Sequence, residues 1–281
     1  MPANPTDFKY PTNWTLEKVR AGELVRAYVI GNFADPRHVD LVCRSGLFDA
    51  IWFDLEHFDI PMRELAVLSL VTRAHPVSPI ARIKASDYQT VMRALETGVD
   101  GIICAMVADA AEARQIVTWA KFNNPSPTAG EVIGQRGWNG GNIDSAYARA
   151  PAAGYIRQQN TATFVLCQIE HDEALRNASE IAAVPGVDGL FFGPGDYSVS
   201  AGLPAQITHP RVMEAMAQVA NAAKRSGKWW GTVAVGREMI AQAKALGAQF
   251  ICPGGDLKVV NLGLRELGKS FATEPADPAK S

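Results

Sequence analysis

The chain alternates short apolar runs with stretches of helical periodicity, and this alternation limits its fold more than any other feature. The runs are rich in β-branched and aromatic residues, which is typical of strands buried on both faces of a parallel sheet. There are eight, at residues 26–30, 51–53, 80–83, 101–106, 164–167, 189–192, 230–235 and 249–252. Eight strand-and-helix units in 281 residues predict an α/β protein with a single-domain (β/α)8 barrel.

Helical stretches separate most of these runs, and the clearest of them lies at residues 109–120. Asp109 is placed to cap it with Glu112 three residues later, and small or branched apolar residues follow on one face. That face consists of Ala113, Ile116, Val117 and Ala120. Further helices are predicted at residues 13–22, 36–45, 61–74, 88–97, 210–225, 237–246 and 258–270, with a helix-like stretch after Glu170.

Residues 123–151 form a glycine- and proline-rich connection that is too long for an ordinary barrel loop. A segment of this kind is typical of a lid over a site or of a contact between subunits. The barrel is predicted over residues 13–271. A flexible arm at residues 1–12 precedes it and a polar tail at residues 272–281 follows it.

Charge and cysteine content exclude several classes of function. The 27 basic and 29 acidic residues give a formal net charge of -2 without a block of like charge, so neither nucleic acid nor a membrane surface is expected as a partner. The four cysteines are isolated in apolar runs, which argues against a zinc or iron–sulfur centre and favours free thiols in a reducing cytoplasm. No apolar run is long enough to span a bilayer, and the amino terminus lacks a signal-peptide pattern.

Two carboxylates follow neighbouring predicted strands, Glu170 after the run at 164–167 and Asp196 after the run at 189–192. Carboxylates at the mouth of an apolar sheet are costly without a partner, and one divalent cation serves both. We therefore interpret Glu170 and Asp196 as the protein ligands of a metal site. Because only oxygen ligands are offered, Mg2+ or Mn2+ fits, with Co2+ as a further candidate.

Other chemically active side chains are predicted at the same face of the barrel, where the carboxyl ends of the strands meet and barrel enzymes carry their chemistry. Together they form a convergent set of acid, base and cation. The set consists of Asp54, Glu56, His57, Arg82, Gln168, Glu170 and Asp196.

Short stretches at these positions resemble the HpcH/HpaI family of class II, metal-dependent pyruvate aldolases. The matching stretches are residues 53–57 (FDLEH), 81–83 (ARI), 134–137 (GQRG), 168–170 (QIE) and 189–198 (GLFFGPGDYS). The resemblance covers residues 13–270. It implies a (β/α)8 carbon–carbon lyase that adds the enolate of pyruvate, or of a close 2-oxo acid, reversibly to an aldehyde, giving 4-hydroxy-2-oxo acids. It also implies a homo-oligomer, a hexamer in which neighbours exchange the last helix.

The resemblance assigns metal-binding and substrate-binding roles to four residues. Glu170 and Asp196 match the family's metal ligands, and pyruvate completes the coordination through its keto oxygen and one carboxylate oxygen. Gln168 matches a side chain that contacts pyruvate. The backbone N–H groups of Gly195 and Asp196 match those that receive its carboxylate, and alanine is common in the family where Gly195 stands.

The resemblance also assigns catalytic roles to three residues. His57 matches the general base, which acts through a metal-bound water, and Arg82 matches the residue that stabilises the enolate. Glu96 stands where a well-known member of the family has an aspartate that reaches the histidine of a neighbouring subunit and raises its basicity. Glutamate keeps the charge there and lengthens the reach.

Three other functions remain open on the sequence alone. A Schiff-base aldolase could use Lys84, although it would need no metal and would leave the two carboxylates unexplained. An acyl-CoA lyase of the same superfamily would need a basic cluster for the coenzyme phosphates, and none is evident. A non-catalytic barrel that binds a keto acid would keep the fold without the proton chemistry.

The aldehyde acceptor is not fixed by these motifs. Phe58 and Trp138 are bulky residues that could narrow the acceptor pocket, which predicts a short or compact aldehyde. Residues 253–256 (PGGD), after the last strand, suit either a tight turn or a phosphate cradle, and the turn is the favoured interpretation.

Overall fold

Eight parallel strands close into a barrel in the order β1 to β8 in the computed structural model, which describes residues 9–123 and 133–271. The predicted (β/α)8 fold is therefore confirmed. The strands are β1 (Val25–Ile30), β2 (Ala50–Asp54), β3 (Ser78–Ile83), β4 (Gly101–Cys104), β5 (Phe164–Ile169), β6 (Gly189–Phe192), β7 (Trp229–Val233) and β8 (Phe250–Cys252).

The helices cover the outside of the barrel and return the chain from the carboxyl end of one strand to the amino end of the next. They are α1 (Trp14–Arg20), α2 (Pro36–Arg44), α3 (Met62–Arg73), α4 (Tyr88–Glu96), α5 (Ala110–Ala120), α6 (Ala152–Ala162), α7 (Asp172–Ala183), α8 (Pro194–Ser200), α9 (Pro210–Arg225), α10 (Gly236–Ala245) and α11 (Asp256–Lys269). The cap predicted for α5 is present, because Asp109 accepts a hydrogen bond from the Glu112 N–H at 2.8 Å.

The main differences from the predicted elements lie around the long connection and beside the site. Helix α6 occupies residues that had no predicted element, and a 3₁₀ turn at Ile143–Ser145 lies inside the predicted loop. Strand β4 ends at Cys104, two residues earlier than predicted. The chain turns there because Met106 adopts a positive φ of 57°, a conformation that does not continue a strand.

Side chains on each strand alternate between the barrel interior and the helix layer. On β5, Phe164 and Leu166 belong to the apolar cluster that fills the interior, whereas Cys167 packs in the cluster beneath the helices. Continuing this alternation turns Gln168, and then Glu170 just past the strand, toward the interior at the carboxyl end. The period of two thus places these two polar side chains in the barrel mouth.

The same alternation operates on the neighbouring strands β2 and β3. Trp52 and Ile80 fill the interior, so the next inward positions are Asp54 and Arg82. The two strands are in register at this point, with Asp54 opposite Arg82. Strand pairing therefore brings an acidic side chain, Asp54, and a basic side chain, Arg82, together at the carboxyl end of the barrel.

Several predictions concern residues outside the described part of the chain. The predicted arm at residues 1–12 is described only from residue 9, and the predicted tail at residues 272–281 and residues 124–132 of the long connection lie outside the described residues.

All four cysteines are buried free thiols. Among the described residues, no helix has the length and apolar character needed to cross a bilayer.

Candidate active site

The carboxyl end of the barrel contains a cavity of about 570 Å3, and most of the predicted site residues line it. Trp52 closes part of its floor. The predicted site residues among its lining are His57, Arg82, Gln168, Gly195 and Asp196. Residues that lie more than 100 positions apart in the sequence thus meet at the one place where strand ends converge.

Arg82 is the central cation of the site, and Asp54 holds it in a fixed orientation. Its Nε donates to Asp54 Oδ1 at 2.9 Å and its Nη2 donates to Oδ2 at 2.5 Å, so the contact is bidentate. The guanidinium also lies 4.7 Å from the centroid of the Trp52 ring. Burial alone would lower the pKa of Arg82, but the hydrogen bonds and the charges of Asp54, Glu56 and Glu170 raise it. Arg82 therefore stays charged in a water-poor setting.

Glu170 is a buried carboxylate at the base of the site, with 1% of its surface exposed. The Met106 N–H donates to its Oε1 at 2.6 Å, and the Gln168 side-chain amide donates to its Oε2. Burial raises the pKa of Glu170 to about 7, and the charges of Glu56 and Asp196 act in the same direction, while the two hydrogen bonds oppose the shift. A carboxylate whose charge is this costly is suited to a cationic partner.

Gly193 allows the chain to pass directly over this carboxylate. A Cβ atom at position 193 would lie 2.7 Å from Glu170 Oε2, so a larger residue would displace the carboxylate. The chain then enters α8, and Gly195 and Asp196 lie in its first turn, where backbone N–H groups have no acceptor within the helix. Asp196 is half-buried and faces the cavity.

The residues present fit a hard divalent cation. Glu170 and Asp196 offer carboxylate oxygens, and Gln168 Oε1 is a buried acceptor that has no hydrogen-bond partner among the described residues. Within residues 9–123 and 133–271, no three His, Cys, Asp or Glu side chains form a metal cluster of their own. A cation held by these two carboxylates would therefore take further ligands from substrate or water.

His57 stands at the rim of the cavity, and its side chain is 51% exposed. Its Nε2 lies 3.9 Å from Glu56 Oε2. The exposure leaves the ring free to reach a substrate in the cavity and to exchange protons with solvent. This is the position that a general base for a bound ligand requires.

Glu96 is the one predicted site residue that does not join this cluster in the chain. It is the last residue of α4, which runs away from the cavity, so it lies at the opposite end of the barrel. Its Oε2 accepts a hydrogen bond from Asn142 Nδ2 at 3.0 Å. The role predicted for it across a subunit interface stays a prediction.

Two acids, Asp54 and Asp256, shape the site although the sequence assigns them no catalytic, metal-binding or substrate-binding role. Asp54 is predicted at the end of a strand, and the signal that pairs it with Arg82 is the register of β2 and β3. Asp256 is buried, and its Oδ2 accepts hydrogen bonds from the N–H groups of Gly31 at 3.0 Å and Phe33 at 2.7 Å. Gly255 forms a β-bridge with Val29 and Asp256 begins α11, so the 253–256 segment places Asp256 to hold the loop after β1.

Lys84, the alternative nucleophile, lies outside the cavity. Its ammonium group donates to Glu112 Oε1 at 2.8 Å and to the Met106 carbonyl at 3.1 Å. A Schiff-base lysine must reach the carbonyl of the bound substrate, whereas these two contacts hold Lys84 in an outer groove and not in the cavity. This placement disfavours the Schiff-base mechanism.

Known proteins resemble this chain over almost its full length. A model of the HpcH/HpaI aldolase/citrate lyase family matches residues 33–261. A hydroxypyruvate/pyruvate aldolase from Pseudomonas aeruginosa is 30% identical over 275 residues, which cover 96% of this chain and 97% of that protein. A pyruvate aldolase from Rhizobium etli is 31% identical and covers 94% of this chain and 99% of its own length. The crystal structure of an HpcH/HpaI aldolase from Desulfitobacterium hafniense superposes with a TM-score of 0.84 at 29% identity, over 94% of this chain and 98% of that one.

Proposed function

Because the chain belongs to the HpcH/HpaI aldolase/citrate lyase family, we propose that it is an aldehyde-lyase acting on pyruvate or a close 2-oxo acid. The reaction is the reversible addition of the pyruvate enolate to an aldehyde, which gives a 4-hydroxy-2-oxo acid. The observation that carries the proposal is the meeting of Arg82, His57 and Asp196 at one cavity, with Glu170 hydrogen-bonded to the lining residue Gln168. Relatives named as aldolases favour this reaction over that of an acyl-CoA lyase.

Glu170 and Asp196 would hold a divalent cation, Mg2+ or Mn2+, with Co2+ as a further candidate. When bound, such a cation stabilises negative charge that develops on a substrate oxygen. Gln168 would contact pyruvate from the cavity floor. The N–H groups of Gly195 and Asp196 would receive the pyruvate carboxylate, because both residues line the cavity and lie in the first turn of α8, where N–H groups have no helical acceptor.

His57 and Arg82 would divide the proton chemistry between them. His57 takes a proton from the methyl carbon of pyruvate, and the C–H electron pair becomes the enolate double bond. Arg82 holds positive charge near the enolate oxygen from the start, so little reorganisation is needed when the charge forms. When the enolate carbon attacks the aldehyde, the new alkoxide oxygen takes back one proton, and the addition consumes and releases none.

The wild-type protein with pyruvate in D2O tests the function directly. We expect exchange of the methyl protons, seen by proton NMR, and new 4-hydroxy-2-oxo acid masses when aldehydes are added with Mn2+. EDTA should stop both reactions, and borohydride with pyruvate should leave no mass adduct on Lys84. Borohydride trapping together with activity in EDTA would instead establish the Schiff-base mechanism, and absence of exchange would favour a binding protein.

His57→Ala should slow the exchange of pyruvate methyl protons roughly a hundredfold, because a positioned general base contributes at least that much. Binding of Mn2+ should be unchanged, since His57 is not among the proposed ligands. The measurement is the exchange rate by NMR together with a Mn2+ titration. Exchange at the wild-type rate in the variant would place the base elsewhere.

The acceptor side of the cavity favours a compact aldehyde, and Phe58 is the residue that narrows it. A Cβ atom at Gly31 would lie 2.4 Å from the Phe58 ring, so the ring rests directly on the glycine backbone. Trp138 is 58% exposed and is not among the lining residues. A screen of aldehydes of increasing size with pyruvate and Mn2+, read by mass, tests this preference.

We also propose that the chain assembles into a homo-oligomer, a hexamer, through α11. Its only fully buried residue is Asp256, and from residue 261 onward every residue of the helix is exposed. Along one side, the helix and the residues that follow it carry apolar residues at positions 257, 260, 264, 267 and 271, spaced three, four, three and four residues apart. This is the pattern of a helix that packs on another surface. The exposed members are Leu257, Leu264, Leu267 and Phe271.

Light scattering should therefore give a mass several times that of the 30.2 kDa chain. Leu264→Glu with Leu267→Glu should reduce this mass, because the apolar stripe of α11 could no longer be buried without leaving charges unpaired. Lys269→Glu changes charge on the same helix outside the stripe and should leave the assembly intact. A monomeric wild-type protein with full activity would contradict both the assembly and any role for Glu96 across an interface.

A further inference from the structure

Glu56 is a buried carboxylate in the site that none of the roles above uses. It lies two residues past the end of β2, and its side chain is 12% exposed. Its Oε2 is buried and accepts no hydrogen bond from the described residues. A buried carboxylate oxygen without a donor is costly, so its retention calls for an explanation in terms of its neighbours.

Two basic side chains lie close to this oxygen. Arg82 Nη1 is 3.3 Å from Glu56 Oε2, and His57 Nε2 is 3.9 Å from the same atom. Three further carboxylates act on this neighbourhood, namely Asp54, Asp196 and Glu170. Burial raises the pKa of Glu56, and the charges of Arg82 and His57 oppose that shift.

Arg82 does not need Glu56 to hold its position. Asp54 already grips the guanidinium with two hydrogen bonds, and the Trp52 ring covers one face. Within the chain, His57 has no comparable support, because its ring is half exposed. Glu56 and His57 line one outer groove together, and His57 alone lines both that groove and the main cavity. Glu56 itself is not among the residues that line the main cavity, so it approaches the imidazole from the groove.

We propose that Glu56 is a positioning residue for the general base: its Oε2 accepts a hydrogen bond from the Nε2–H of His57 and directs the ring toward the cavity. The inference rests on the proposed function. An imidazole is a useful base only when one nitrogen is held protonated, so that the other is free, and a carboxylate behind the ring does this. The charge of Glu56 also stabilises the imidazolium that forms when His57 takes the substrate proton. A distance of 3.9 Å shortens to a hydrogen bond with a small rotation of the exposed ring.

A double-mutant cycle on methyl-proton exchange tests this role. Glu56→Gln keeps the shape and removes the charge, and we expect exchange to slow by about tenfold or more with pyruvate KM within about twofold. In the His57→Ala background the same substitution should have no further effect, because Glu56 would have nothing left to position. Glu173→Gln removes an equal charge from the same outer groove and should leave exchange unchanged.

Each other outcome is decisive. If Glu56→Gln slows exchange equally in the presence and absence of His57, the carboxylate acts through Arg82 and the proposal is overturned. Exchange at the wild-type rate in Glu56→Gln overturns it as well. If circular dichroism shows that Glu56→Gln does not fold, Glu56→Asp takes its place, because it keeps the charge and moves the carboxylate oxygen away from His57. Glu56→Asp should slow exchange by a smaller factor, and this effect should also disappear in the His57→Ala background. Absence of exchange in the wild-type protein would refute the proposed function itself, which separates the two failures.

Discussion

The Glu170→Gln variant is expected to fold as the wild-type barrel does, to lose Mn2+ binding, and to lose aldol activity roughly a thousandfold or more. The loss is large because one neutral substitution removes a charged ligand of the proposed cation, and with it several kcal/mol of charge stabilisation in the transition state. The activity measurement is product formation with saturating pyruvate and aldehyde across a Mn2+ titration. The binding measurement is calorimetric titration of the same samples.

The fold should survive this change because both hydrogen bonds at position 170 can be remade. The amide oxygen of the new side chain can accept from the Met106 N–H, as Glu170 Oε1 does now. Gln168 can rotate its amide so that its free Oε1 accepts from the new NH2 group. Removing a buried charge also relieves the burial cost that raises the pKa of Glu170 to about 7. Circular dichroism and thermal unfolding should therefore show a barrel at least as stable as the wild type.

Glu112→Gln is the matched control for this prediction. Glu112 also accepts a backbone N–H, that of Ala108 at 2.8 Å, but it lies in the outer groove away from the cavity. Its amide variant should keep cation binding and activity. Asp196→Asn should reproduce the loss seen at position 170. Full Mn2+-stimulated turnover of either ligand variant after treatment with a chelator would show that the cation site lies elsewhere.

Arg82→Lys should lower kcat by about 160-fold, which corresponds to the ~3 kcal/mol that a preorganised charge in such a site contributes. Lysine keeps the charge, but its ammonium group has only one nitrogen. The planar guanidinium of Arg82 binds Asp54 through two nitrogens and still faces the cavity, and lysine cannot reproduce that geometry. The effect should fall on kcat more than on pyruvate KM, because the enolate charge exists only in the transition state and after it. Both constants are measured at saturating Mn2+.

Arg26→Lys is the control variant that distinguishes a catalytic role of Arg82 from a structural one. Arg26 grips Asp49 with the same two-pronged geometry, at 2.9 Å for each hydrogen bond, but near the amino end of β1 and far from the cavity. If each arginine only supports the structure, Arg82→Lys and Arg26→Lys should lower the melting temperature equally. If Arg82→Lys retains near-normal kcat, Arg82 is scaffolding and the enolate charge is held by other groups.

The barrel could be predicted because its strands are buried on both faces and their hydrophobicity is nearly continuous. Glu170 and Asp196 could be placed at the mouth because they directly follow two such strands. Helix α6 could not be predicted, since it buries only Tyr155 and has no side-chain cap. Its sequence therefore lacks both the apolar face and the start signal by which a helix is identified.

The pairings inside the site depend on tertiary structure and were beyond the sequence. Asp54 is the last residue of β2 and Glu56 follows the strand, and only the register of β2 with β3 determines that Asp54 binds the Arg82 guanidinium with both oxygens. The sharp turn at Met106 is stable because its N–H binds Glu170, 64 residues away. Single-residue propensity disfavours that turn, so a long-range contact overrides it.

The hydrogen bonds from Gly31 and Phe33 to Asp256 have a consequence for the timing of biosynthesis. They join the loop after the first strand to the first residue of the last helix, beside the seam where β8 pairs with β1. A chain emerging from the ribosome exposes β1 first, and its seam partner is made near the end. The Gly31 backbone, on which the Phe58 ring rests, therefore lacks its hydrogen bond to Asp256 until α11 has left the exit tunnel. Nascent chains should acquire their activity in one step after α11 has emerged, and they do not pass through a partly active barrel.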